Sequence, residues 1–92
     1  MKRFEYTSAT EMIIDESGSL QQFYRLTNVL SKTRHVHFTM KEDDADGVEW
    51  RFSYRGNHLI LQYNIYNGVS LLYNGRDTKT ANKLAVRLRE VQ

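Results

Sequence analysis

The 92-residue chain predicts an α+β fold, a two-layer sandwich in which an antiparallel meander carries two helices on one face. Two observations carry this. Apolar and polar residues alternate from Val48 to Tyr73 through three strand-like segments, broken at Gly56-Asn57 and Asn67-Gly68, the pattern of strands joined by tight turns. Two further segments space their apolar residues at helical intervals, one before this meander and one after it. The predicted order is β-α-β-β-β-β-α, in a single domain spanning residues 1–92.

Each element has its own signal. Phe4 and Tyr6 alternate weakly, and Met12, Ile13 and Ile14 follow, which reads as one or two short N-terminal strands. Ser19 stands three residues ahead of Gln22, the spacing of a capping box, and Leu20, Phe23, Leu26, Thr27 and Leu30 then recur on one helical face, so a helix is expected over Leu20–Lys32. From His35 to Lys41 the alternation returns, with Val36, Phe38 and Met40 on one side and His35, His37, Thr39 and Lys41 on the other. Glu42–Gly47 then forms a turn. After the meander, Asn74-Gly75 stops the last strand, and Asp77 or Thr78 caps a helix whose apolar stripe is Ala81, Leu84, Ala85, Leu88 and Val91.

Register decides which side chains reach solvent. A two-residue turn at Gly56-Asn57 pairs Tyr54 with Leu59, Phe52 with Leu61, Trp50 with Tyr63 and Val48 with Ile65, all on one face. The second connection has two readings. A two-residue Asn67-Gly68 turn sends Val69, Leu71 and Tyr73 away from the core, whereas a three-residue loop with Gly68 in the left-handed conformation pairs Ile65 with Val69 and buries all three. The second is favoured, because burying a large apolar side chain is worth roughly 1.5–3 kcal/mol and turn types differ by less. The opposite face then carries His35, His37, Thr39, Lys41, Glu49, Arg51, Ser53, Arg55, His58, Gln62 and Asn64, interrupted by Ile60 and Leu72.

Composition limits the function. With 40% hydrophobic and 26% charged residues the chain has the balance of an ordinary folded globule. It has no cysteine, no long apolar run and no basic, apolar leader, so no disulfide scaffold, membrane span or secretion signal is expected and the cytoplasm is the default compartment. Thirteen Lys and Arg against eleven Asp and Glu leave +2, too near neutral to imply a polyanion partner. The charge is uneven: Glu42, Asp43, Asp44 and Asp46 crowd one loop, and residues 76–92 hold five Lys and Arg against two carboxylates.

No catalytic residues are expected. There is no Cys, no glycine-flanked serine elbow, no phosphate loop and no pair of carboxylates on facing strands, and a domain this short has little room for both a core and an enclosed pocket. His35 and His37 project together from one strand, but the expected register sets His58 opposite Arg55 and leaves the ligand set incomplete, so neither a metal nor a cofactor is predicted and the three are read as surface histidines. The acidic loop lacks the central glycine and terminal glutamate of a calcium loop. It reads as a solvated turn whose charge is available to a basic partner.

A binding role remains. The first reading is a small non-enzymatic binding or regulatory protein that meets a protein partner through Ile60, Tyr66 and Leu72 with Arg51 and Arg55 around them; a homodimer through an uncovered sheet edge is one form such contact can take. The alternative is nucleic-acid binding through Arg51, Arg55, Lys79, Lys83 and Arg87. Trp50, Phe52, Tyr54 and Tyr63 fall on the core parity and so do not form a base-stacking platform. The segment Thr78-Lys79-Thr80-Ala81-Asn82-Lys83-Leu84-Ala85 is similar to the basic helix start of double-stranded RNA-binding domains, which also combine helices with antiparallel strands. The chain departs from that family in an additional strand and in a glycine motif reduced to Asn74-Gly75.

Overall fold

The structure, a computed structural model, describes residues 10–73 and 78–90. Its elements run β1 (Thr10–Asp15), α1 (Leu20–Ser31), β2 (Val36–Asp43), β3 (Gly47–Tyr54), β4 (Asn57–Asn64), β5 (Gly68–Tyr73) and α2 (Thr78–Glu90), the predicted β-α-β-β-β-β-α order. The strand signal at Phe4 and Tyr6, the Asn74-Gly75 stop, the Asp77 cap and Val91 lie outside the described residues.

All strand pairs are antiparallel, in the order β1-β5-β4-β3-β2. The meander β2 to β5 is continuous, and β1 adds beside the last strand, so α1 carries the chain from one edge of the sheet to the other. Both helices cover the same face. Phe23, Leu26 and Leu30 of α1 and Ala81, Leu84, Ala85 and Leu88 of α2 share one core with Phe52, Leu59, Leu61, Val69, Leu71 and Tyr73. A 12-residue helix is marginal alone. Burial of Phe23, Leu26 and Leu30, at roughly 1.5–3 kcal/mol each, holds α1 in place, and Ser19 caps it by accepting a hydrogen bond from the Gln22 amide at 3.1 Å.

The observed β3–β4 register differs from the expected one by a two-residue slide. Tyr54 pairs with Asn57, Phe52 with Leu59, Trp50 with Leu61 and Val48 with Tyr63. The turn residues are therefore Arg55 and Gly56, with φ of 51° and 82°, the two positive values of a type I′ turn. A slide of two preserves every side chain's face, so alternation alone does not distinguish the registers. One consequence is that Ile65, expected opposite Val48, lies in the β4–β5 loop and is 60% exposed. That loop is Ile65-Tyr66-Asn67, between Asn64 and Gly68, and Gly68 has the expected left-handed φ of 73°. Val69, Leu71 and Tyr73 are buried, as the favoured reading required, but Val69 pairs with Tyr63 and not with Ile65, again a slide of two.

A bulge between Phe38 and Met40 produces the second difference. Val36 and Phe38 pack against the core, but the extra residue reverses the parity beyond it. Met40 therefore pairs with Arg51 and is 46% exposed. Lys41 moves to the helix side and sets its ammonium 4.1 Å from the Trp50 ring centroid, a cation–π contact that covers an aromatic in edge-to-face contact with Phe23 and Phe38.

Both edge strands are irregular. β1 shifts register between Ile13 and Asp15, and Arg89 of α2 donates from Nε and Nη2 to the Ile13 carbonyl at 3.0 and 2.7 Å. At the other edge the β2 bulge is followed by Lys41, Glu42 and Asp43. Bulges and charges of this kind oppose edge-to-edge pairing.

Candidate functional site

At one end of the sheet the β2–β3 and β4–β5 loops lie side by side. Each is closed by a side chain that replaces a backbone partner. Asp44 Oδ1 accepts hydrogen bonds from the Asp46 and Gly47 amides, both at 2.8 Å, and Asn64 Oδ1 accepts from the Tyr66 and Asn67 amides at 2.9 and 2.7 Å, the local turns that Asp and Asn favour. The Ile65 amide donates to the Asp46 carbonyl at 3.1 Å and joins the loops. Gly47 makes the approach possible: a Cβ there would lie 2.0 Å from the Tyr63 carbonyl oxygen, so any other residue would push the strands apart.

The loops enclose a groove of about 340 Å³ whose lining includes Asp44, Asp46, Glu49, Tyr63, Asn64 and Tyr66. Among the described residues, Arg51 is the cation in ion-pair reach of a lining carboxylate, 3.8 Å from Glu49 and 3.6 Å from Glu42 outside the groove. Among the described residues no Lys, Arg or His lines the groove itself. Tyr66 stands at its mouth, 74% exposed. Carboxylates accept the forked hydrogen bonds of a guanidinium or those of an ammonium, and tyrosine rings add cation–π attraction.

The residues expected to bind protein do not form one patch. Arg51, Ile60 and Leu72 are neighbours in one cross-strand row, with Met40 and Glu11 at its ends. Ile60, however, is 2% exposed, and a side chain buried to that degree offers no contact surface. Its neighbours Gln62 and Ser70 are also buried although they face away from the helices, and among the described residues the Ser70 hydroxyl has no hydrogen-bond partner. Tyr66 lies at the groove, and Arg55 sits in the turn at the far end of the sheet, its guanidinium 5.6 Å from the Tyr54 ring centroid.

The residues of the nucleic-acid alternative fall on two sides of the molecule. Lys79, Lys83 and Arg87 form an exposed i, i+4, i+8 stripe on α2, over the helix-covered face. Arg51 is on the other face and engages Glu42 and Glu49. Trp50, Phe52, Tyr54 and Tyr63 pack with the core, as expected.

The groove was only half visible in the sequence. Its acidic loop and Tyr66 stand out there, but Tyr63 has core parity and Glu49 belongs to the polar face. What joins them is Gly47 against the Tyr63 backbone, a contact for which a lone glycine after an acidic run is the only signal.

Among the described residues no helix is long and apolar enough to cross a membrane. No curated protein matches the chain. No solved structure matches it either. A family model described as Protein of unknown function (DUF3630) does match, over residues 1–88, and the chain belongs to that family.

Proposed function

We propose that this protein is a small non-enzymatic binding module that receives a basic segment of a protein partner in the groove between the β2–β3 and β4–β5 loops. The observation that carries the proposal is the lining itself: Asp44, Asp46 and Glu49 share a space of about 340 Å³ with Tyr63 and Tyr66, and among the described residues no cation lines it. A Lys or Arg side chain matches that volume and charge. Asp46 and Tyr66 are the residues to test, because both are exposed and their side chains hold up neither loop. Fluorescence anisotropy of a labelled arginine-rich peptide, with a glutamate-rich peptide as control, measures the interaction. Asp46→Asn combined with Tyr66→Ala is expected to weaken arginine-peptide binding roughly tenfold, from one charge pair and one cation–π contact. Undiminished binding by the double variant would remove the groove from the account.

One observation favours the nucleic-acid alternative, now confined to α2: the Lys79, Lys83, Arg87 stripe is exposed, and among the described residues none of the three is in a salt bridge. Binding there would weaken steeply with salt and be abolished by Lys83→Glu with Arg87→Glu. Equal retention of nucleic acid by that double variant would exclude the helix.

A further inference from the structure

The observed register brings together two histidines that the expected register kept apart. His37 of β2 pairs with Ser53 of β3, and Ser53 pairs with His58 of β4. The three side chains form one row on the face away from the helices, at the end opposite the acidic groove. Both imidazoles are exposed. Adjacent pairs in an antiparallel sheet alternate between Cα separations of about 4.5 and 5.5 Å, which places His37 and His58 roughly 10 Å apart at Cα. Two imidazoles that each hold a metal at about 2.0–2.1 Å from a ring nitrogen reach across such a span to a common ion. Ser53 between them is short enough to leave the space open.

Among the described residues, nearby charges do not fill that space. Arg55, in the adjoining turn, sets its guanidinium over the Tyr54 ring, and Tyr54 faces the helices. Arg51, in the neighbouring row, is held by Glu42 and Glu49. His35 precedes β2 with φ of 69° and is not a member of the row.

We propose that His37 and His58 bind one divalent first-row transition-metal ion, of the kind imidazole suits, with Cu²⁺ held more tightly than Zn²⁺. Among the described residues no three His, Cys, Asp or Glu side chains converge, so water or a donor from a bound molecule completes the coordination. The experiment is isothermal titration of the full chain with ZnCl₂ and with CuCl₂, together with His37→Ala, His58→Ala and His35→Ala. All three positions are exposed, and circular dichroism confirms that each variant is folded. One ion per chain is expected. His37→Ala and His58→Ala should each lower affinity at least about tenfold, since loss of even an outer-shell partner costs a metal site 10–100-fold, while His35→Ala stays within about twofold. Absence of saturable binding, or affinity in either the His37 or the His58 variant equal to that of the parent protein, overturns the site. An effect of His35→Ala as large as theirs overturns the assignment to this row.

Discussion

The two ends of the meander solve chain reversal differently. At the β3–β4 end the chain turns in two residues, Arg55 and Gly56, and a Cβ on Gly56 would meet nothing within 4 Å. At the other end the reversals are longer and lie against each other and against the β1–α1 connection. A Cβ on Gly68 would stand 2.2 Å from the Asp15 carbonyl and 2.5 Å from that of Glu16. Both glycines have positive φ, but one sits in open solvent and the other in a backbone crossing. The crowded end therefore has a defined shape, and it is where a groove forms.

Exchanging each glycine for alanine tests that contrast most strongly. Gly68→Ala adds backbone collision to a left-handed conformation and is expected to cost about 3–5 kcal/mol, whereas Gly56→Ala should cost about 1 kcal/mol from conformation alone. Urea unfolding midpoints measure both, and equal losses would dissolve the distinction between the ends. Next in size is Asp44→Ala, which leaves the Asp46 and Gly47 amides without their acceptor; about 1–2 kcal/mol is expected, with visible change confined to amides around the groove.

Arg89→Ala carries the comparison to the sheet edge. It frees the Ile13 carbonyl beside the β1 bulge at a cost of about 1 kcal/mol, and light scattering should show more concentration-dependent self-association than for the parent protein. A strictly monomeric variant would show that the bulge alone protects the edge. At the open end the sign reverses: Arg55→Asn places a residue suited to the left-handed region in the type I′ turn and is expected to raise stability by about 0.5 kcal/mol. Destabilisation there would mean that the guanidinium–Tyr54 contact outweighs the backbone preference.

The smallest effect is a pH dependence at the crowded end. Hydrogen bonds from the Ser17 amide and hydroxyl to Asp15 Oδ1, each 3.0 Å, hold the Asp15 carboxyl below its ordinary value of 3.8. A carboxyl depressed in the folded state adds stability above the unfolded pKa and loses it as pH falls through the folded one. The gap between the parent protein and Asp15→Ala should narrow in unfolding curves taken from neutral pH to below the ordinary aspartate range.

The sheet was legible because period-2 alternation reports parity, and Val48, Trp50, Phe52 and Tyr54 keep theirs in every register that slides by two. Register is not legible for the same reason: alternation alone neither moves Ile65 into the loop nor sets His37, Ser53 and His58 in one row. The bulge in β2 was hidden because Val36, Phe38 and Met40 continue the apolar alternation without a break. The candidate groove depends on how close two loops come, and only Gly47 and Gly68 signal it, through collisions their absent side chains avoid. Ile60 illustrates the remaining limit: on the polar face of a strand pattern it reads as available, and burial comes from neighbours that alternation does not describe.

The binding account is tested most directly by amide chemical-shift mapping of the ¹⁵N-labelled protein titrated with an arginine-rich peptide. Saturable shifts centred on Asp44–Glu49 and Tyr63–Asn67, with the amides of His37, Ser53 and His58 unmoved, are the predicted result. Shifts centred on Lys79, Lys83 and Arg87, or no saturable shift at all, would contradict it.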